Sequence, residues 1–398
     1  MQISARTVVQ HDKRYLRWVA SAGDLDTSFD GNGKKVISFG GTDDARAVLV
    51  QGNGRIVVAG AGAPANDFCV ARLRPNGLLD KTFRSTGKRT VSFGGDQEGA
   101  YAAALQPDGK ILLAGDSEFR VAVARLNANG SLDTSFSGDG KKLISWGPIG
   151  RAMAVLVLPN GKILLGGFSG PEGGNVEVAR LNPGGALDTT FGTNGRASVD
   201  FGATEFGLAM ARQPNGRIVV AGRQDPDGSI VARLRPNGAP DPDFNGDGQV
   251  ILPGGGRATA VLIQPGGRIV VAGNSSQFNA MTVTRLLPNG SLDISFGAGG
   301  TATIDFGVME DLANDAVLQP DGKIVVAGYT QAAEEVAVAR LNADGSPDAT
   351  FGAGGKATVD FGGIATFGNA VALAPNGRIV VAGQRSGSDD FALTRLLA

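Results

Sequence analysis

Apolar residues in this chain come in short bursts. Runs such as "ARAVLVQ" (45–51), "RIVVAG" (55–60) and "FCVARL" (68–73) alternate with turn-rich segments, and none sustains a helical period. The first two runs flank Asn53-Gly54, the signature of a tight β-hairpin. A polar connection, "RPNGLLDKTF" (74–83), follows the third, and a fourth run has the form "KKVISFG" (34–40 in the first copy). The pattern predicts units of four short strands.

The unit recurs. Aligned on the aspartate of "LD(T)SF", seven copies appear at Asp26, Asp80, Asp133, Asp188, Asp241, Asp293 and Asp348, 52 to 55 residues apart, each with a phenylalanine three positions later. Four strands repeated at a period near 50 are the sequence form of a β-propeller. A solenoid would need distinct capping repeats, and the last copy here is ordinary. The expected fold is all-β, a seven-bladed β-propeller of four-stranded antiparallel blades. Residues 24–398 would form that propeller, and residues 1–23 an N-terminal extension or degenerate leader.

Arginines in otherwise apolar strands give a reason for closure. Six precede their aspartates by eight positions: Arg72–Asp80, Arg125–Asp133, Arg180–Asp188, Arg233–Asp241, Arg285–Asp293 and Arg340–Asp348. Arg395 has no aspartate after it, and Asp26 has Trp18 where its arginine should be. A closed ring pairs these two orphans, whereas an open stack strands both charges. The last copy also lacks an outer strand, and "KKVISFG" is spare at the other end, so an N-terminal strand should fasten the ring. These arginines and aspartates are therefore read as structural staples, a role the planar guanidinium fork suits.

The motif "GSLDTSF…GDGKKLIS…LPNGKILLGGF…VEVARLNPGG" resembles the delta-60 repeat of bacterial proteins, over roughly residues 24–398. The resemblance implies a propeller fold and a secreted or cell-surface location. It implies no common activity. Against export, the segment before Ala20-Ser21-Ala22 lacks the apolar stretch of a signal peptide, which leaves a cytoplasmic location open.

Differences between copies point to a site. They concentrate in two loops per unit, such as "GGDQEGAY" between outer and inner strands and "FSGPEGGN" between the middle strands. Both should fall on one face, with the constant hairpins and "PNGxLDxxF" connections on the other. At the mouth of the central channel one column reads Arg46, Tyr101, Met153, Leu208, Thr259, Asn314 and Asn369. Asp315 stands in a column of alanines, and Arg212 interrupts a column of Val50, Leu105, Val157, Ile263, Leu318 and Leu373. The candidate ligand-binding residues are Arg46, Tyr101, Met153, Arg212, Asn314, Asp315 and Asn369.

Acids are expected around the same mouth, namely Asp43, Asp44, Glu98, Glu205, Glu310 and Asp311. They raise the possibility of a bound Ca or Mg ion. Asp243, Asn245 and Asp247 in "DFNGDGQVI" match the start of a calcium loop, but its closing position is Gly254, so a glycine-supported turn is the stronger reading.

Composition narrows the chemistry. Of 398 residues, 42% are hydrophobic, enough for a core, and 37 basic against 38 acidic residues are spread along the chain. That balance argues against a nucleic-acid surface. No apolar run approaches a membrane span. A single cysteine, Cys69, excludes an intrachain disulfide, and a single histidine, His11, lies outside the repeats, which disfavours histidine-based triads and zinc sites. G-x-S-x-G, P-loop and dinucleotide motifs are missing.

Two readings remain for what is expected to be a monomeric propeller. One is a non-enzymatic recognition or scaffold module that binds a protein or carbohydrate on the variable-loop face. The other is a hydrolase or lyase using a carboxylate-bound divalent cation at the channel mouth. The first needs exposed aromatics such as Tyr101, Phe206, Tyr329 and Phe367; the second needs three or more carboxylates converging on one point.

Overall fold

A computed structural model describes residues 20–398 except 63–65, 171–173, 227, 278, 308–309, 332–333, 363 and 388. His11, Trp18 and nearly all of the expected 1–23 extension lie outside the described residues.

The chain forms seven four-stranded antiparallel sheets. In the first, Asp44–Val50, Ile56–Gly62, Asp67–Leu73 and Lys88–Val91 run from the channel outward. The next five blades repeat that order. The seventh takes Thr366–Leu373, Ile379–Arg385 and Asp390–Leu396 from the end of the chain and Lys34–Ile37 from its beginning. The register of this closing strand runs from Lys34 opposite Thr394 to Ile37 opposite Phe391. The expected N-terminal fastening is therefore present.

The two middle strands of blade 1 are buried along their whole length. This is why they read as unbroken apolar runs rather than alternating ones. Each blade packs against its neighbour through one apolar cluster; Val58 and Ala71 of the first blade meet Val380, Phe391 and Leu393 of the last.

The arginine staples are built as the spacing required. Arg285 Nε donates to Asp293 Oδ2 at 2.8 Å, and Arg395 does the same to Asp26 at 2.8 Å across the join in the chain. In six of the seven copies the guanidinium also reaches a serine or threonine two positions after the aspartate, as Arg285 reaches Ser295 and Arg180 reaches Thr190. It lies over the fully buried phenylalanine of the motif, with Arg285 4.6 Å from the Phe296 ring centre. The staple also ties blades together. Arg180 Nη1 donates to the carbonyl of Pro236 at 2.6 Å and Arg285 Nη1 to that of Ala343 at 2.7 Å, both in the following copy.

Sequence reasoning missed a second cation at each aspartate. The basic residue of "G(R/K)I" supplies it: Lys162 lies 2.7 Å from Asp188, Arg217 2.6 Å from Asp241 and Lys323 3.0 Å from Asp348. The outer strands add a third link, since Lys88 and Lys141 donate to the carbonyls of Ser38 and Ser92 in the preceding loop.

Candidate functional site at the channel mouth

In the second, sixth and seventh blades the two variable loops are bonded together on one face. Glu118 N donates to Gln97 O, Gln331 N to Glu310 O and Ser386 N to Ala365 O. The inner strand descends from this face, and in every blade it carries a β-bulge at its third, fourth or fifth residue. The register skips between Ala45 and Ala47, Ala100 and Ala102, Ala152 and Ala154, Gly207 and Ala209, Ala258 and Ala260, Ala313 and Asp315, and Gly368 and Ala370. The extra residue is the column already singled out: Arg46, Tyr101, Met153, Leu208, Thr259, Asn314 and Asn369.

The glycine of the "(A/G)G" motif permits the bulge. A Cβ on Gly60 would fall 1.8 Å from the carbonyl oxygen of Asp44, and one on Gly328 1.7 Å from that of Leu312. Only glycine allows that approach. The bulge in turn re-aims the side chains at the mouth, the usual effect of such insertions near functional sites.

Those side chains form a belt that passes from blade to blade. Thr259 Oγ1 donates to Ala313 O at 2.9 Å, Asn314 Nδ2 to Gly368 O at 2.9 Å, and Asn369 Nδ2 to Ala45 O at 3.0 Å and Asp44 Oδ1 at 2.8 Å. Asp44 pairs with Arg46 at 2.7 Å, whose guanidinium lies 4.5 Å from the Tyr101 ring centre. Tyr101 interacts with Asp116, which lies 3.4 Å from Arg151. Beyond it the belt turns aromatic. Phe168 and Phe206 meet edge to face at 4.9 Å, Arg223 stacks on Phe206 at 4.0 Å, and Tyr329 meets Phe367 at 4.7 Å. Tyr101, Phe206, Tyr329 and Phe367 are all partly open to solvent.

Arg257 stands within this aromatic arc. Its end is solvent-exposed, and among the described residues no carboxylate pairs with it. The surrounding protein strips part of its hydration, and the neighbouring Arg223 charge adds to that, so its guanidinium pKa is lowered. Asp315 lies deeper. Its carboxylate accepts Ala316 N and, across the blade boundary, Val371 N, each at 2.8 Å. Burial pushes its pKa up to about 6 despite those two bonds.

Several expected placements change. Asp43, Glu98, Glu205 and Asp311 are buried, and their carboxylates face their own loops instead of the channel. Glu98 accepts Phe93 N and Gly95 N, Asp311 accepts Phe306 N, Glu205 accepts Ala203 N, and Asp43 accepts Phe39 N. They latch the loops by satisfying buried main-chain donors. Arg212 is not at this mouth: it is the last residue of Thr204–Arg212, at the opposite end of the channel. Around "DFNGDGQVI", Asp243 pairs with Arg217 at 2.5 Å, Asn245 Nδ2 donates to Gln249 O and Asp247 accepts Gln249 N. These side chains serve a turn. Among the described residues no three potential metal ligands converge.

Sequence comparison missed Asp116, Phe168, Arg223 and Arg257. Each lies beside the singled-out column, two positions before the bulge or opposite that position on the second strand (Phe206 opposite Arg223, Arg257 opposite Asn274). Aligning the ends of the second strands across copies would have exposed Asp116, Phe168 and Arg223, and aligning the starts of the inner strands Arg257.

The molecule is thus a seven-bladed β-propeller with a variable mouth and a repetitive underside. The chain belongs to the family described as domain of unknown function (DUF5122) beta-propeller, whose profile matches residues 51–83, 106–136, 158–191, 213–244, 264–296, 319–351 and 374–398, more than half of its length. No curated protein matches the sequence. Among solved structures, the fold is similar to a streptogramin B lyase at TM-score 0.58 and 9% identity, over 91% of this chain and 97% of that one. A catalytically inactive histidine-to-alanine variant of virginiamycin B lyase from Staphylococcus aureus, with quinupristin, is similar at TM-score 0.59 and 9% identity, over 92% and 99%. The polysaccharide lyase Uly1 is similar at TM-score 0.50 and 12% identity, over 88% and 89%. At these identities the likeness is one of fold. No helix among the described residues is long and apolar enough to cross a membrane.

Proposed function

We propose that this protein is a non-enzymatic recognition propeller that binds a protein or carbohydrate at the mouth on its variable-loop face. One observation carries the reading: the arc of Phe206, Arg223, Arg257, Tyr329 and Phe367, in which two guanidiniums stand between aromatic rings. Aromatic faces stack on sugar rings or apolar side chains, and arginine adds charge-assisted bonds; both residue types dominate binding hot spots. Constant blades hold the arc, as a binding loop requires of its scaffold. A cation-dependent hydrolase or lyase needs converging carboxylates, and the buried acids near the mouth are engaged with their own loops. On the "GSLDTSF" motif we further read the repeat as one of delta-60 type within its family.

The test is a glycan array and a peptide array probed with the full chain and with Arg257→Ala and Phe367→Ala. The expected result is a ligand set retained by the wild type and weakened at least tenfold by each substitution. Wild-type binding indifferent to both substitutions, or no ligand on either array, would overturn the reading.

A further inference from the structure

An open cavity of about 780 Å³ lies on the underside, between the hairpins of the fourth, fifth and sixth blades. That volume is within the range of small-molecule pockets, roughly 300–1,000 Å³. We propose that it binds a small organic anion with an apolar body, with the anionic group on Arg212.

Arg212 departs from its repeat. Six copies carry Val, Leu or Ile at this position, and the apolar side chains of Ile263 and Leu318 from that column line the same cavity. The guanidinium is solvent-exposed, its Nη2 lies near the Gly216 turn, and among the described residues it forms no ion pair.

The surrounding charge also favours an anion. Arg268 and Arg285 both line the cavity and share a single carboxylate, Asp293, at 3.2 and 2.8 Å. The lining acid, Asp321, already has Lys323 3.8 Å away. The wall therefore carries more positive than negative charge before Arg212 is counted. Apolar surface comes from Ile263, Leu318 and the hairpin prolines.

The site is independent of the upper mouth, and its test can separate the two. Isothermal titration of the full chain with 1-naphthylacetate would be compared with its uncharged analogue 1-naphthaleneethanol. The proposal expects binding of the carboxylate and at least tenfold weaker binding of the alcohol. Arg212→Leu, which restores the column, should keep the melting temperature and weaken the carboxylate at least tenfold. Leu318→Trp, which fills the cavity, should weaken both probes, and Arg257→Ala should change neither. Failure of the wild type to bind millimolar 1-naphthylacetate would overturn the proposal. So would equal affinity for the two probes, unchanged affinity in Arg212→Leu, or loss of affinity in Arg257→Ala.

Discussion

Replacing Asp26 by alanine should cost as much stability as replacing Asp293, although Asp26 lies 369 positions from its arginine. The two sites have the same contacts. In each, arginine Nε is 2.8 Å from the carboxylate, a neighbouring serine donates to the same side chain, and the arginine lies over a buried phenylalanine. Arg395 is 5% exposed and Arg285 8% exposed, so either substitution strands a buried guanidinium. That costs about 3–5 kcal/mol. The lower end applies, because Arg395 keeps its bonds to Ser28 and to the carbonyl of Pro75. Adding Arg395→Ala to Asp26→Ala removes the stranded charge, so the double-mutant cycle should show a coupling of about 1–3 kcal/mol. Urea unfolding of the four proteins measures it. If Asp26→Ala stays within about 0.5 kcal/mol of wild type while Asp293→Ala loses several, or if the cycle is additive, the ring is not closed by this pair.

Four further outcomes follow from the same contacts. Burial alone would raise the Asp133 carboxyl, but bonds from Ser135 and Arg125 outweigh it and hold the group at about 2. A lowered folded value means stability present above about pH 4 and lost as the pH falls toward 2, so acid unfolding should be shallower over that window in Asp133→Asn. Asp315 is raised to about 6 by burial, so its ionised form costs stability as the pH rises through 6. Asp315→Asn should therefore gain roughly 2 kcal/mol at pH 8 relative to its effect at pH 4, and an equal change at both pH values would refute the burial account. Burial lifts the Cys69 thiol to about 12, so it should resist iodoacetamide at pH 8 in the native protein and react fully in urea; native reactivity would place it at the surface. Because the acids near the mouth bond to their own loops, EDTA followed by added Ca²⁺ should leave the melting temperature unchanged, and a reversible shift would show a cation site.

Much of the scaffold was legible because each copy checks the others. Arg395 and Asp26 could be paired from sequence since six intact pairs state the rule that both orphans break. The hairpin glycines, the buried phenylalanines and the spare strand at Lys34–Ile37 followed in the same way. The site was only half legible. The column from Arg46 to Asn369 was found because its members differ, yet the same comparison placed Glu98 and Asp311 at the mouth, where composition suggested cation ligands. It also grouped Arg212 with residues at the other end of the strand, because a column alignment records which position varies and not which end of the channel that position reaches.

The sequence alone determined the number of blades, their strand order and the closure. Those depend on period, turn chemistry and charge pairing, which repeat in the chain itself. Tertiary structure decided which way the variable side chains point. A strand turns alternate residues to opposite faces, and one extra residue at a bulge reverses that alternation for everything beyond it. Whether the bulge forms depends on how closely the second strand approaches, at Gly60 and its counterparts, and that distance is set between strands. The same holds for Arg223, Arg257 and Tyr329, which belong to three different blades and meet only when the ring is complete.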